Sequence, residues 1–404
     1  MSIVRISALK GAIHGIWVDG AFVHEGYDRR SLHGRTEGFA EPGVPDGGFE
    51  PLMPGDRPDW RELDRRGFPR DTSDLYHLLS ARFDQNMKDL DDGPVTVMVH
   101  GFLFDPRDSI SSDPKESDNP HSRLYHFQER PKPEEVRHHT SGWPARLGYG
   151  GGDLTGGDGM VLAFGWHSRP GFAESLIKGG QNFYARAYSN AEPAAWNLLT
   201  ALHVLDHKLA AGKKITLFCH SLGSRVVIRL IAMAAKHNRR DLLDRIDKVI
   251  ILGGAEYVVE ARLMLRRLTE AGMRDGISFY NVVSRENDVL DKLGENFGPR
   301  TFGNTNVVGH NGLDVEDTRS IGDYWVDMQI DSREFADWIT ANRGFDVTGD
   351  NPDAVWDHWY YFTDPGNMAM YRDIVRNPGN WKIDELRQAG MPDRVSRRRS
   401  IFGD

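Results

Sequence analysis

Residues 215–223 read ITLFCHSLG, and the run VVIRLIAMAA follows at 226–235. A short apolar and β-branched stretch that gives way to Cys-His-Ser-Leu-Gly, then to a longer apolar stretch, reads as a buried strand turning sharply into a buried helix. Ser221 stands in that turn. A serine so placed often caps the helix behind it, or the turn can hold it up as a nucleophile. The flanking sequence has to decide between the two.

Working outward, the same rhythm repeats. VTVMVHGF (95–102), MVLAFGW (160–166), KVIILGG (248–254), ISFYNVV (277–283) and YWVDMQI (324–330) are short apolar runs. Between them lie helical patterns, such as Leu198, Leu202, Leu205 and Leu209 before the opening stretch. Another begins at Ser73 and carries Leu75, Leu78, Leu79 and Phe83 on one face, and PGNMAMYRDIV (365–375) reads as a C-terminal helix. Apolar strands alternating with amphipathic helices predict an α/β fold, a mostly parallel central sheet with helices on both faces. Within it, residues 103–158 form a large insertion, acidic and Pro-bearing at first and Gly-rich at its end. Residues 1–72 are expected to be an N-terminal hairpin, turning at Asp19-Gly20 in GIWVDGAFV (15–23), followed by an irregular surface segment packed on the core. Residues 73–404 then make one domain.

The net charge of −9 argues against nucleic acid as a main partner, because phosphate binding needs a basic surface. The cluster RVSRRRS (394–400) is too short to reverse that and reads as a solvated tail. The single cysteine, Cys219, allows no internal disulfide. MSIVRISALKGAIHG lacks the apolar core of a secretory signal, and no run approaches the roughly 18 apolar residues of a membrane span. The expectation is a cytoplasmic protein with no membrane span.

In open α/β sheets reactive groups gather at the carboxyl ends of the strands, where helix N-termini present their N–H groups. A nucleophile there needs a sharp turn and small neighbours, and Gly223 supplies one of them. In this context CHSLG resembles the G-x-S-x-G nucleophile elbow of α/β-hydrolases, with Cys219 in place of the first glycine. Upstream, VMVHGF resembles the His-Gly-X oxyanion loop of lipases and esterases. The resemblance implies an oxyanion hole made by the backbone N–H groups of Phe102 and Leu222.

The family's triad runs in the chain order Ser, acid, His. ISFYNVVSREND puts Asp288 a few residues past a strand, with Glu286, Asp291 and Glu256 as alternatives. Only His310 and His358 lie downstream of Asp288. His358, in WDHWYYFTDP ahead of the C-terminal helix, resembles the family's catalytic-histidine loop, and its aromatic setting suits a base working away from water. His310, in VVGHNGL, is the minority option. His220 reads as a packing or polar group beside the elbow, and Cys219 as buried and inert.

Phe104, Trp356 and Trp359 are candidates for lining an apolar acyl or aryl pocket, and core packing accounts equally well for some of them. GYGGGDLTGGDG lacks the Gly-Lys-Ser/Thr ending of a phosphate loop and reads as a connection. His121, His126, His138 and His139 match no tight metal spacing and read as insertion surface, so no metal is expected.

The resemblance implies a serine hydrolase needing no cofactor, acting on a small-molecule carboxylic ester through an acyl-enzyme on Ser221. An amide or thioester hydrolase on the same triad, a lyase or acyltransferase on the same fold, and a non-catalytic binding protein of that fold remain alternatives. The insertion at 103–158, which follows the oxyanion loop directly, is expected to roof the site as a lid.

Overall fold

In a computed structural model the described residues are 2–9, 12–19, 83, 93–106, 118–125, 142–149, 159–169, 183–286, 306–313, 324–347 and 358–395. They contain the strands β1 (Ser2–Leu9), β2 (Ala12–Asp19), β3 (Val95–Val99), β4 (Met160–Trp166), β5 (Ile215–His220), β6 (Ile246–Leu252), β7 (Ser278–Val283) and β8 (Trp325–Gln329). The first helices are α1 (Pro120–Arg123), α2 (Trp143–Arg146), α3 (Phe183–Lys208), α4 (Gly223–Lys236), α5 (Arg240–Leu243) and α6 (Val258–Glu270). They are followed by α7 (Val308–Asn311), α8 (Arg333–Arg343), α9 (Tyr360–Thr363), α10 (Pro365–Arg376) and α11 (Ile383–Gln388).

The strands form one sheet in the order β2-β1-β4-β3-β5-β6-β7-β8. All pairs are parallel except β1–β2 at the edge. Each of the six apolar runs read from the sequence is one of these parallel strands, so the α/β class stands. Burial on both faces explains why the runs look continuous rather than alternating. Val95, Val97 and Val99 face one apolar cluster with α3, α4 and α6, whereas Met98 faces the other, with α8, α10 and α11.

Two features differ from the expectation. β1 and β2 pair antiparallel from Ile3↔Asp19 to Leu9↔Ala12, a pairing not read from the sequence, and residues 20–23 of the expected hairpin lie outside the described residues. β1 also runs parallel to β4, from Ser2↔Met160 to Ala8↔Trp166, with Ile3, Val4 and Ile6 fully buried. Residues 2–9 are thus a structural strand of the main sheet. The sequence signal was weakened by Arg5 and Ser7, which are nonetheless buried.

The described stretches of the insertion, 103–106, 118–125 and 142–149, all carry core side chains. Tyr125, Trp143 and Tyr149 join the second cluster, and the hydroxyl of Tyr149 donates to Thr96 Oγ1 at 2.6 Å. His121, expected at the surface, is fully buried with Nε2 3.2 Å from Ser7 Oγ. Among the described residues no group of side chains could hold a metal ion, and no helix is long and apolar enough to cross a membrane. Most of segment 1–72, His126, His138, His139 and residues 150–158 of the Gly-rich stretch lie outside the described residues.

Candidate functional site

The chain leaves β3 for β4 on one side and places β5 on the other side of β3, so the path switches direction between β3 and β5. Ligand crevices of open α/β sheets form at such a switch, beyond the carboxyl ends of the strands. Val99 and Cys219 are register partners there, and the chain continues as His100-Gly101-Phe102 on one strand and His220-Ser221-Leu222 on the other.

Ser221 has φ +51°, one of three described non-glycine residues with positive φ. A left-handed conformation disfavours side chains with a Cβ and persists only where the surroundings enforce it. Here they do so from both sides. The Ser221 N–H donates to Leu252 O at 2.9 Å, and its carbonyl accepts from the Ala255 and Ser224 N–H groups, each at 3.0 Å, and from Ser224 Oγ at 2.7 Å. The residue keeps 5% of its surface exposed, and its hydroxyl makes no hydrogen bond to a described residue.

Two glycines allow the close approach. A Cβ on Gly223 would stand 2.5 Å from the carbonyl oxygens of His100 and Val99, so α4 can start against the end of β3 only with glycine there. A Cβ on Gly101 would stand 2.7 Å from Ser221 Cβ, which sets the 100–102 loop directly beside the serine. Leu222 is already helical (φ −64°, ψ −14°), and no backbone acceptor among the described residues takes its N–H or that of Phe102.

The 100–102 loop is held by His100. Its Nε2 must accept, because the Trp166 N–H points at it over 2.9 Å, so Nδ1 carries the proton and donates to Gly101 O at 2.9 Å. Trp166 Nε1–H in turn donates to His100 O at 2.9 Å. Burial lowers the His100 pKa to about 3, keeping the ring neutral as this pattern requires. With the Gly101 carbonyl tied to the ring, the Phe102 N–H of the same peptide plane points the opposite way. The neighbouring Leu103 has φ +75° and is exposed.

Of the two downstream histidines, His358 is the one brought to the elbow. Its ring lies 4.6 Å from that of His220, and its carbonyl is 3.3 Å from His220 Nε2. Burial lowers its pKa to about 4. His310 sits in α7, its Nε2 3.2 Å from Arg285 O. His220 itself is packed among Trp359, Phe362 and Trp143, stacking on Trp359 at 5.8 Å. Cys219 is fully buried, and burial pushes its thiol pKa up.

Phe102 is half-buried, edge-on to Tyr184 at 5.6 Å. Phe104 is core, 4.9 Å from His100 and 6.1 Å from Trp359, which is half-buried. Asp288, its alternative Asp291, and Trp356 lie outside the described residues. Glu286 is described and buried at the end of β7, where its N–H donates to Ser284 Oγ and to Asp331 Oδ2, each at 3.2 Å.

Glu256 is fully occupied elsewhere. It is completely buried, accepting from Tyr188 OH at 2.6 Å, from Arg225 Nη1 at 2.9 and 3.2 Å, and from the Tyr257 N–H at 2.9 Å. Arg225 Nε donates to Tyr188 O at 2.8 Å. Arg225 lies in the first turn of α4, so this buried pair anchors the helix directly behind Ser221. Sequence reading missed both Arg225 and Tyr188. Their signal was a charge at an inward position of an apolar helix, which has to find a partner when buried.

Asp331, also unanticipated, sits just past β8 and is buried; its Oδ2 accepts from the Arg285 N–H at 2.8 Å as well as from Glu286. It thereby ties down the backbone of Arg285 and Glu286 just past β7. No family model matches this chain, and neither does any curated protein or solved structure.

Proposed function

We propose that the protein is a serine hydrolase of the α/β-hydrolase type that cleaves carboxylic esters through an acyl-enzyme on Ser221. The observation that carries this reading is the enforced left-handed turn at Ser221 with Gly101 against its side chain. A helix cap has no need of that strain, which costs about 1–2 kcal/mol; a nucleophile lifted from a strand-to-helix turn does.

In the proposed reaction Ser221 Oγ attacks the ester carbonyl as His358 takes its proton. The N–H groups of Leu222 and Phe102 hold the tetrahedral oxyanion, and His358 returns the proton to the departing alcohol. Water, deprotonated by the same imidazole, then releases the acid. Asp288 is proposed as the carboxylate that orients His358. The base and the serine are not hydrogen-bonded here, and such contacts commonly tighten only in the substrate complex.

The test is a fluorophosphonate probe combined with a panel of p-nitrophenyl esters and amides. Labelling at Ser221 that is lost in Ser221→Ala and sharply reduced in His358→Ala, with release of free acid from the esters, supports the reading. An unlabelled wild-type protein that still binds ester-like ligands would make the elbow a binding feature instead.

A further inference from the structure

At the opposite end of the sheet, the residues leading into β3, β5 and β6 meet α10 around a cleft of about 660 Å³. Its size is that of a small-molecule site. Five lining side chains are cationic: Lys213, Lys214, Lys248, Arg372 and Arg376. Two are acidic, Asp247 and Asp373, which leaves an excess of three positive charges in a chain whose net charge is −9.

Asp247 is engaged by one of the lining lysines and Asp373 by groups outside the charge count. Asp247 pairs with Lys248, and Asp373 accepts from Trp381 Nε1 at 2.7 Å and from Asn377 Nδ2 at 2.5 Å. Arg376 is pinned by donating to the carbonyls of Leu147 at 2.9 Å and Gly148 at 2.5 Å, with its guanidinium 4.9 Å above the Tyr149 ring. Arg372, one helical turn earlier, is half-buried and makes no hydrogen bond or ion pair with a described residue. Both guanidinium groups crowd the same point: a Cβ on Gly148 would stand 2.7 Å from Arg376 Nε and 2.8 Å from Arg372 Nε. Like charges one turn apart repel, and an arginine without a counter-charge in a cavity wall is a ready anion contact.

We propose that this cleft is a second binding site, for a small organic molecule carrying a phosphate group. Arg372 is its main anion contact, assisted by Lys214, whose Nζ donates to the Asp244 carbonyl at 2.5 Å and has further donors to offer. Phe345, Val375 and Pro378, which also line the cleft, meet the organic body. A dianionic phosphate matches the charge excess better than a monoanionic carboxylate does. The proposal is independent of the chemistry at Ser221.

Isothermal titration calorimetry on the full chain tests it with phenyl phosphate, inorganic phosphate and benzoate as probes. Phenyl phosphate is expected to bind most tightly, and its affinity to fall about tenfold in Arg372→Gln, as removal of one charge-assisted contact implies. Lys214→Gln, at an exposed position, is expected to weaken it as well, and Ser221→Ala to leave it unchanged. Three results would each overturn the proposal: no binding of phenyl phosphate at millimolar concentration, equal affinity for benzoate, or affinity unaltered in both charge variants.

Discussion

The Cα of Gly101 lies against the side chain of Ser221, so that a methyl group added to Gly101 would stand 2.7 Å from Ser221 Cβ and 3.0 Å from the carbonyl oxygen of His220. Neither neighbour is the free end of a flexible chain, so backbone must move. Gly101→Ala is expected to slow fluorophosphonate labelling of Ser221 by about 100-fold, the penalty of ångström-scale misplacement. Its unfolding free energy should fall by only about 1–3 kcal/mol, the usual overpacking cost. Labelling at the wild-type rate would show that the loop is not part of the reactive geometry.

The strain at Ser221 makes a second expectation. Relief of the left-handed turn and the extra unfolded-state freedom of glycine oppose each other, so Ser221→Gly should be between equal to and about 1 kcal/mol more stable than wild type. A β-branched residue has no such relief, and Ser221→Val should lose stability. Urea denaturation of both variants checks the order, and a Ser221→Val protein as stable as Ser221→Gly would contradict it.

Glu256 and Arg225 form a buried pair, and removing one member strands the other. Glu256→Ala should cost about 3–5 kcal/mol of stability. The double variant Glu256→Leu/Arg225→Met should recover much of that loss, because no orphaned charge is left. Chemical denaturation of the two variants decides, and a double variant worse than the single would refute the account.

Stability should depend steeply on pH in the acid range. Burial lowers the pKa of His100 to about 3 and of His358 to about 4, and holds His121 well below 6.5. A histidine depressed on folding takes up its proton first in the unfolded chain, so stability falls as pH drops from about 6.5 toward 4, by up to about 1.4 kcal/mol per pH unit per ring. Asp364 runs the other way. Its pKa is raised by burial to about 7, so its contribution declines as pH rises from about 4 to 7. Asp327 and Asp331 are raised by burial in the same sense. The share of the rings is therefore read from the difference between wild type and His100→Asn, whose stability should fall less on acidification. Equal loss of stability, followed as melting temperature, between pH 6.5 and 4 in wild type and His100→Asn would contradict the burial of that ring.

Much of the fold was legible because parallel strands buried on both faces leave uninterrupted apolar runs, and all six of those runs are strands. β1 was not legible: Arg5 and Ser7 break its pattern, and their burial depends on a tertiary partner, the Tyr125 carbonyl for Arg5 and the His121 ring for Ser7. The elbow could be read because strand, turn and helix are adjacent in sequence. The Glu256–Arg225–Tyr188 lock could not, since its members come from β6's exit, α4 and α3 and meet only in three dimensions. The pairing of β1 with β2 was not anticipated because Asp19-Gly20 is the stronger turn dipeptide and drew the reading away from Lys10-Gly11, which lies between the two strands.

The parallel pairing of β1 with β4 also dictates a timetable for biosynthesis. Ser2 finds its neighbour Met160 only after more than 150 further residues have left the ribosome, an interval of about 10–30 seconds at ordinary elongation rates. Of the two neighbours of β1 in the described sheet, β2 alone has been made during that wait, and a lone two-stranded ribbon is marginal in water. Ile3, Val4 and Ile6, fully buried in the finished sheet, must therefore wait for their cover, and the sheet closes around them late.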